Sequence, residues 1–175
     1  MFNLSAGIGF DFAPSGTGII ELSDSDALPS LNASLAFLPF RNKKRSYEFG
    51  LIASAFYQPL KSSADFYSVK LNLIEPSLNL CYRHRISSNN VKWQARGGAG
   101  FAIISKNIEF TSDNEDLTQP ENTLFGYMFA NAGLSLVITP GNVFSIEMGS
   151  DVSYIFAEDL NTPMVKPFAS IGVRF

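Results

Sequence analysis

Apolar and polar positions alternate with a period of two along almost the whole chain. In the opening stretch, MFNLSAGIGFDF, Phe2, Leu4, Ala6, Ile8, Phe10 and Phe12 share one face, and Asn3, Ser5, Gly7, Gly9 and Asp11 share the other. Successive side chains of a strand point to opposite faces, so this reads as a strand with one apolar face, longer than the usual five or six residues. The same alternation recurs at about 29–40 (Leu31, Ala33, Leu35, Phe37), 46–58 (Tyr47, Phe49, Leu51, Ala53, Ala55, Tyr57) and 91–105 (Val91, Trp93, Ala95, Ala99, Phe101, Ile103). It returns at about 143–156 (Phe144, Ile146, Met148, Val152, Tyr154, Phe156) and in the closing PFASIGVRF. There Phe175, Val173, Ile171 and Ala169 alternate with Arg174, Gly172, Ser170 and Phe168.

Two further segments change phase. Between about 66 and 84, Val69, Leu71 and Leu73 keep one phase, while Leu78, Leu80 and Tyr82 keep the other. A one-residue bulge near LIEP is predicted, which would also accommodate Pro76 inside a strand. Between about 124 and 138, Ala132, Leu134, Leu136 and Ile138 are regular. Phe125, Tyr127 and Phe129 fall on the opposite face unless a second bulge intervenes.

Eight such strands in a single domain spanning residues 1–175 point to an antiparallel barrel or sandwich. The connections separate these. RNKKR, RISSNN and TPGN are short; PSGTGIIELSDSDALP, PLKSSAD, KNIEFTSDNEDLTQPENT and AEDLNTP are longer and polar, and the two kinds alternate. Short turns on one rim and longer loops on the other are the pattern of a transmembrane barrel. The predicted class is all-β: an eight-stranded antiparallel up-and-down transmembrane β-barrel.

The polar face decides which side meets lipid. It is rich in Gly, Ser and Asn, and its charges are few and of both signs. They are Asp11, Glu48, Lys70, Glu75 and Arg83 in the first half, then Lys92, Arg96, Glu147, Asp151, Lys166 and Arg174. That is a poor solvated exterior but a workable crowded lumen, with charges paired across strands. Asp151 with Lys166, and Glu147 with Arg174, are expected to pair on the last two strands. Tyr47 and Tyr57, ten residues apart on the apolar face, span about 23 Å on a tilted strand, near the height of the apolar band between aromatic girdles.

Composition narrows the chemistry. Charged residues are only 17%, and the net charge of −3 disfavours nucleic acid as a partner. One Cys and one His, Cys81 and His84, form neither a disulfide nor a Cys/His zinc site, and no cofactor is implied. No stretch is long and apolar enough for a membrane helix. MFNLSAGIGF has no basic start and apolar run, so a membrane barrel here would be the mature form of a secreted precursor.

With the pattern complete, the chain resembles the small eight-stranded bacterial outer-membrane proteins of the OmpA, OmpX and OmpW type, and the ending IGVRF is the part that matches as a motif. The resemblance implies a bacterial outer-membrane location and contact with bilayer and lipopolysaccharide or other outer-leaflet lipid. It also implies that Phe175, with Val173 and Ile171, is the terminal signal read by the barrel-assembly machinery.

The remaining candidates have plainer readings. His84 in CYRHRISSNN lies beside a short turn, and without a second His no Ser–His or Asp–His pair can form at the long-loop rim. It is read as a turn residue at headgroup level. Glu21, Asp24 and Asp26 in the first loop, and Glu109, Asp113, Glu115, Asp116 and Glu121 in the third, supply oxygens without the glycine spacing of a calcium loop. Arg41, Lys43, Lys44, Arg45, Arg83 and Arg85 make the short-turn rim basic, placed to meet anionic headgroups. The function expected is non-enzymatic: a structural or surface-interaction role, such as an adhesin, through the long acidic loops toward an extracellular ligand. The alternatives are a narrow porin-like channel for small or apolar solutes, narrowed by Phe56, Phe125, Tyr127 and Phe129 if these point inward, and a soluble lipocalin-like binder.

Overall fold

The computed structural model describes residues 2–12, 28–42, 46–64, 67–86, 90–110, 121–141, 143–157 and 163–175. They form β1 (Phe2–Asp11), β2 (Leu28–Arg41), β3 (Tyr47–Ala64), β4 (Tyr67–Arg85), β5 (Val91–Phe110), β6 (Glu121–Ile138), β7 (Phe144–Phe156) and β8 (Pro163–Arg174). Each strand pairs antiparallel with its sequence neighbour, and β8 closes on β1. The seam ends with Phe2 and Phe175 exchanging backbone hydrogen bonds of 2.9 and 3.1 Å.

The apolar face looks outward. Leu4, Ile8, Leu80, Leu134 and Ile171 are more than half exposed, and this belt is bordered by aromatic rings at both ends. At the short-turn end Phe2 stacks between Phe37 and Phe175, and His84 sits with Tyr82 and Trp93. Phe10, Phe12, Tyr57, Phe101, Tyr154 and Phe156 border the other end, all exposed. An apolar exterior around a polar interior is the reverse of a lipocalin, so the soluble-binder alternative fails on polarity.

The bulge expected near LIEP does not exist, and no second one intervenes in β6. β4 stays in register with β3 from Tyr67 to His84, and its ladder to β5 resumes at Ser77↔Gly100 with the spacing it had at Ile74↔Ile103. Pro76 has no N–H to give, so it interrupts that ladder without shifting it. β6 also pairs with β5 without a break from Glu121 to Ile138. The hydrophobic phase flips because the lumen changes composition, not because the backbone slips. Leu71, Leu73 and Phe129 point inward and join Leu28, Ala102, Ile155 and Met164 in a buried, largely aliphatic plug at the long-loop end. Tyr127 packs against this plug, Phe56 is buried further down, and Phe125 is exposed. With the parity of β4 unbroken, Lys70 lies on the outer face and is exposed; its placement in the lumen is corrected. Among the described residues the one register shift falls between Phe37 and Phe40, a stretch of β2 that contains Pro39.

The strands are unequal. Among the described residues, β2 pairs with β3 only as far as Tyr57, and β7 with β6 only as far as Met128. Strands β3 to β6 run on, to Ala64, Tyr67, Phe110 and Glu121. Residues 61–64 of β3 lie past the level of Leu28, where the described part of β2 begins, and carry this four-stranded wall about 9 Å higher at the usual strand rise and tilt.

Candidate functional site

The lumen is the one place where chemistry-bearing side chains converge among the described residues. Inward positions recur every second residue, so each strand sends a short column of polar groups toward the axis, and adjacent columns meet in layers. At the short-turn end Lys92 is ion-paired to Glu48, and Arg174 lies 4.0 Å from the same carboxylate. Just above, Arg83 Nε donates to Gln94 Oε1 at 2.5 Å.

In the middle, Glu147 Oε1 accepts from Gln94 Nε2 at 2.7 Å and from Ser135 Oγ at 2.8 Å, with Arg96 Nη1 at 3.7 Å. Arg96 grips Asp151 with two bonds, Nε to Oδ1 at 2.8 Å and Nη2 to Oδ2 at 2.5 Å, the paired geometry that a planar guanidinium offers a carboxylate. The Arg96 guanidinium also lies 4.6 Å over the Phe168 ring. Phe168 meets Phe56 edge-on at 6.5 Å. Toward the long-loop end Lys166 is ion-paired to Glu75, with Asp11 Oδ2 at 4.0 Å, and Ser30 donates to Asp11 Oδ1 at 3.1 Å.

Asp11, Glu48, Glu75, Arg83, Lys92, Arg96, Glu147, Asp151 and Lys166 are thus all inward and buried, as the alternation requires, and Arg174 is nearly so. The expected partners need correction. Asp151 does lie opposite Lys166, but its carboxylate is held by Arg96, while Lys166 reaches across the barrel to Glu75. Glu147 is opposite Ser170, four residues from Arg174, too far along the strand for the expected pair. Long side chains project to the axis of so narrow a barrel, where a strand two or four places away is as near as an adjacent one. Gln94, Ser135 and Phe168 complete these layers and are absent from the expected site. Uncharged inward residues carry no signal beyond their parity.

Among the described residues, charged and aromatic side chains meet across the lumen. The cavity enclosed beside Arg96, Glu147, Phe56 and Phe168 has a volume of about 10 Å³, the scale of one water molecule. Phe175, Val173 and Ile171 point outward on β8, where a lipid-facing terminal signal would place them. His84 is outside the lumen at the short-turn girdle, its Nδ1 3.3 Å from the Tyr82 hydroxyl. The acidic residues Glu21, Asp24, Asp26, Asp113, Glu115 and Asp116, and the basic Lys43, Lys44 and Arg45, lie outside the described residues. Among the described residues no group of His, Cys, Asp and Glu could hold a metal in the usual way.

No protein-family model and no curated protein sequence matches the chain. Solved structures do. A major outer membrane protein from Thermus thermophilus superposes with a TM-score of 0.66 at 10% identity, covering 100% of both chains. Ail, the attachment invasion locus protein of Yersinia pestis, seen with the heparin analogue sucrose octasulfate, gives 0.63 at 13% identity, over 99% of this chain and 97% of its own. The outer membrane enzyme PagL gives 0.51 at 12% identity over 99% of each. With eight strands in a closed up-and-down circuit, a belt of outward apolar residues and these structural likenesses, the chain has the fold of the small eight-stranded outer-membrane β-barrels.

Proposed function

We propose that this is a non-enzymatic protein of the bacterial outer membrane that acts at its long-loop end, by surface interaction, and not through its lumen. The observation that carries this is the pairing of a filled lumen with a raised wall. Charged layers, the Phe56–Phe168 pair and the aliphatic plug obstruct the axis, while β3 to β6 extend past the belt toward the longer loops. The apolar belt is the surface that meets acyl chains, and lipopolysaccharide or another outer-leaflet lipid is its neighbour. Phe175 at the seam is the residue offered to the barrel-assembly machinery. PagL has the same fold and is an enzyme, but the single His of this chain lies at the opposite rim and faces outward. Ail binds a sulfated sugar analogue; the acidic run of the long loops here favours a cationic or neutral partner instead.

Planar-bilayer recording and cell retention test this together. Purified protein is expected to give no steady conductance of porin size. Bacteria displaying it are expected to be retained on animal-cell monolayers, and to lose that retention when residues 111–120 are replaced by a Gly/Ser linker. A steady open channel would establish the pore reading instead, and retention unchanged by the replacement would remove the loop from the mechanism.

A further inference from the structure

Between the aliphatic plug and the Phe56–Phe168 pair lies a polar compartment in which several buried polar atoms have no partner among the described residues. Asp11, Gln58, Glu75 and Ser153 are each no more than 2% exposed. Asp11 Oδ2, Glu75 Oε1, Gln58 Oε1 and Ser153 Oγ make no hydrogen bond among the described residues, nor does Gln58 Nε2. These groups surround the Lys166–Glu75 ion pair. Phe56 faces Glu75 and Gln58 faces Leu73, so Gln58 is the diagonal neighbour of Glu75 on the inner face. Ser153 faces Met164 beside the Asp151↔Lys166 pair, so it is the diagonal neighbour of Lys166. Lys166 in turn touches both Glu75 and Asp11. Leu73 and Met164, opposite Gln58 and Ser153, belong to the plug that closes the compartment toward the loops.

Charge says what these oxygens are for. Toward the loops three carboxylates, Asp11, Glu75 and Asp151, face two cations, Arg96 and Lys166. At the short-turn end three cations, Arg83, Lys92 and Arg174, converge near the single Glu48 carboxylate. A water molecule satisfies an orphaned oxygen but leaves surplus negative charge uncompensated in a medium where charge is costly. A cation answers both. Oxygen ligands suit a hard ion, and the ammonium of Lys166 in the same compartment repels a second charge on it. We propose that this compartment binds one monovalent metal cation, Na⁺ or K⁺, through carboxylate oxygens of Asp11 and Glu75 and the side-chain oxygens of Gln58 and Ser153. Bound there, the ion ties β1, β3, β4 and β7 together beneath the plug, a role independent of any surface partner.

The test is thermal unfolding of the intact protein in detergent micelles, in NaCl, KCl and choline chloride at equal ionic strength. With Na⁺ or K⁺ at about ten times its dissociation constant, the midpoint is expected about 3–6 °C above that in choline. Gln58→Leu and Ser153→Ala, which keep all the lumen charges, are expected to shrink that difference, and Asp11→Asn with Glu75→Gln to abolish it. Should the last variant fail to fold, ²³Na resonance broadening in the wild type, reversed by competing K⁺, gives the same information. Equal midpoints in the three salts with no broadening would overturn the proposal. A salt difference undiminished in both Gln58→Leu and Ser153→Ala would overturn it too, by placing the ion elsewhere.

Discussion

The Arg96–Asp151 pair is where the lumen can be tested most sharply. Two hydrogen bonds of 2.8 and 2.5 Å join side chains that are 4% and 3% exposed, and Glu147 stands 3.7 Å from the same guanidinium. Removing one member of a buried ion pair leaves the other without compensation, at a cost of about 3–5 kcal/mol. Arg96→Met strands Asp151 and weakens the hold on Glu147, and it also forfeits the cation–π contact with Phe168, so it belongs at the upper end of that range. Asp151→Asn leaves Arg96 with Glu147 still near, so about 2–3 kcal/mol is expected. The double variant removes the mismatch and should cost less than the sum, a coupling of about 2 kcal/mol. The Glu147→Ala and Arg174→Ala cycle, on positions four residues out of register, should be additive within about 0.5 kcal/mol. Urea unfolding in lipid vesicles, followed by the fluorescence of Trp93, the single tryptophan, measures both. An additive Arg96/Asp151 cycle, or strong coupling between Glu147 and Arg174, would refute this account of the lumen.

Three other outcomes are expected. Deleting Phe175 removes its stacking on Phe2 and two backbone bonds at the seam, a loss of about 1–3 kcal/mol in vitro. Surface levels in cells should fall far more than detergent refolding does, and wild-type levels would rule out a signal role. A Cβ on Gly133 would sit 1.8 Å from the Asp151 carboxylate that Arg96 holds, while one on Gly126 meets nothing within 4 Å. Gly133→Ala should therefore cost about 1–3 kcal/mol in urea titrations and Gly126→Ala nearly nothing; equal effects would count against the packed lumen. Finally, Ile74→Cys should react with a lipophilic maleimide in the folded barrel while Leu73→Cys stays protected, as buried Cys81 does. Labelling at position 73 would restore the bulge.

That labelling experiment also marks the line between what the sequence made legible and what it left hidden. The outer face of a membrane barrel meets one solvent along its whole belt, so its residues obey one rule. Strand number, strand phase and the outward direction of Phe175 could be read from that rule. The inner face meets no solvent of uniform character. Near the short turns it is charged, and near the long loops it is aliphatic, so Leu71, Leu73 and Phe129 imitate a change of phase on a strand that never slips. A period-two reading assumes that apolar means outward, and it fails where the lumen is itself apolar. The same geometry hides the ion pairs. Lys166 on β8 meets Glu75 on β4, halfway round the barrel and 91 residues away in sequence. Register predicts neighbours on adjacent strands, whereas contacts in a narrow lumen depend on height along the axis. Height follows from strand tilt and closure, which no single pair of strands contains. Apart from Lys70, which the false change of phase on β4 turned inward, the charges were therefore identifiable one by one, while their partners became readable only when the eight strands were closed into a ring.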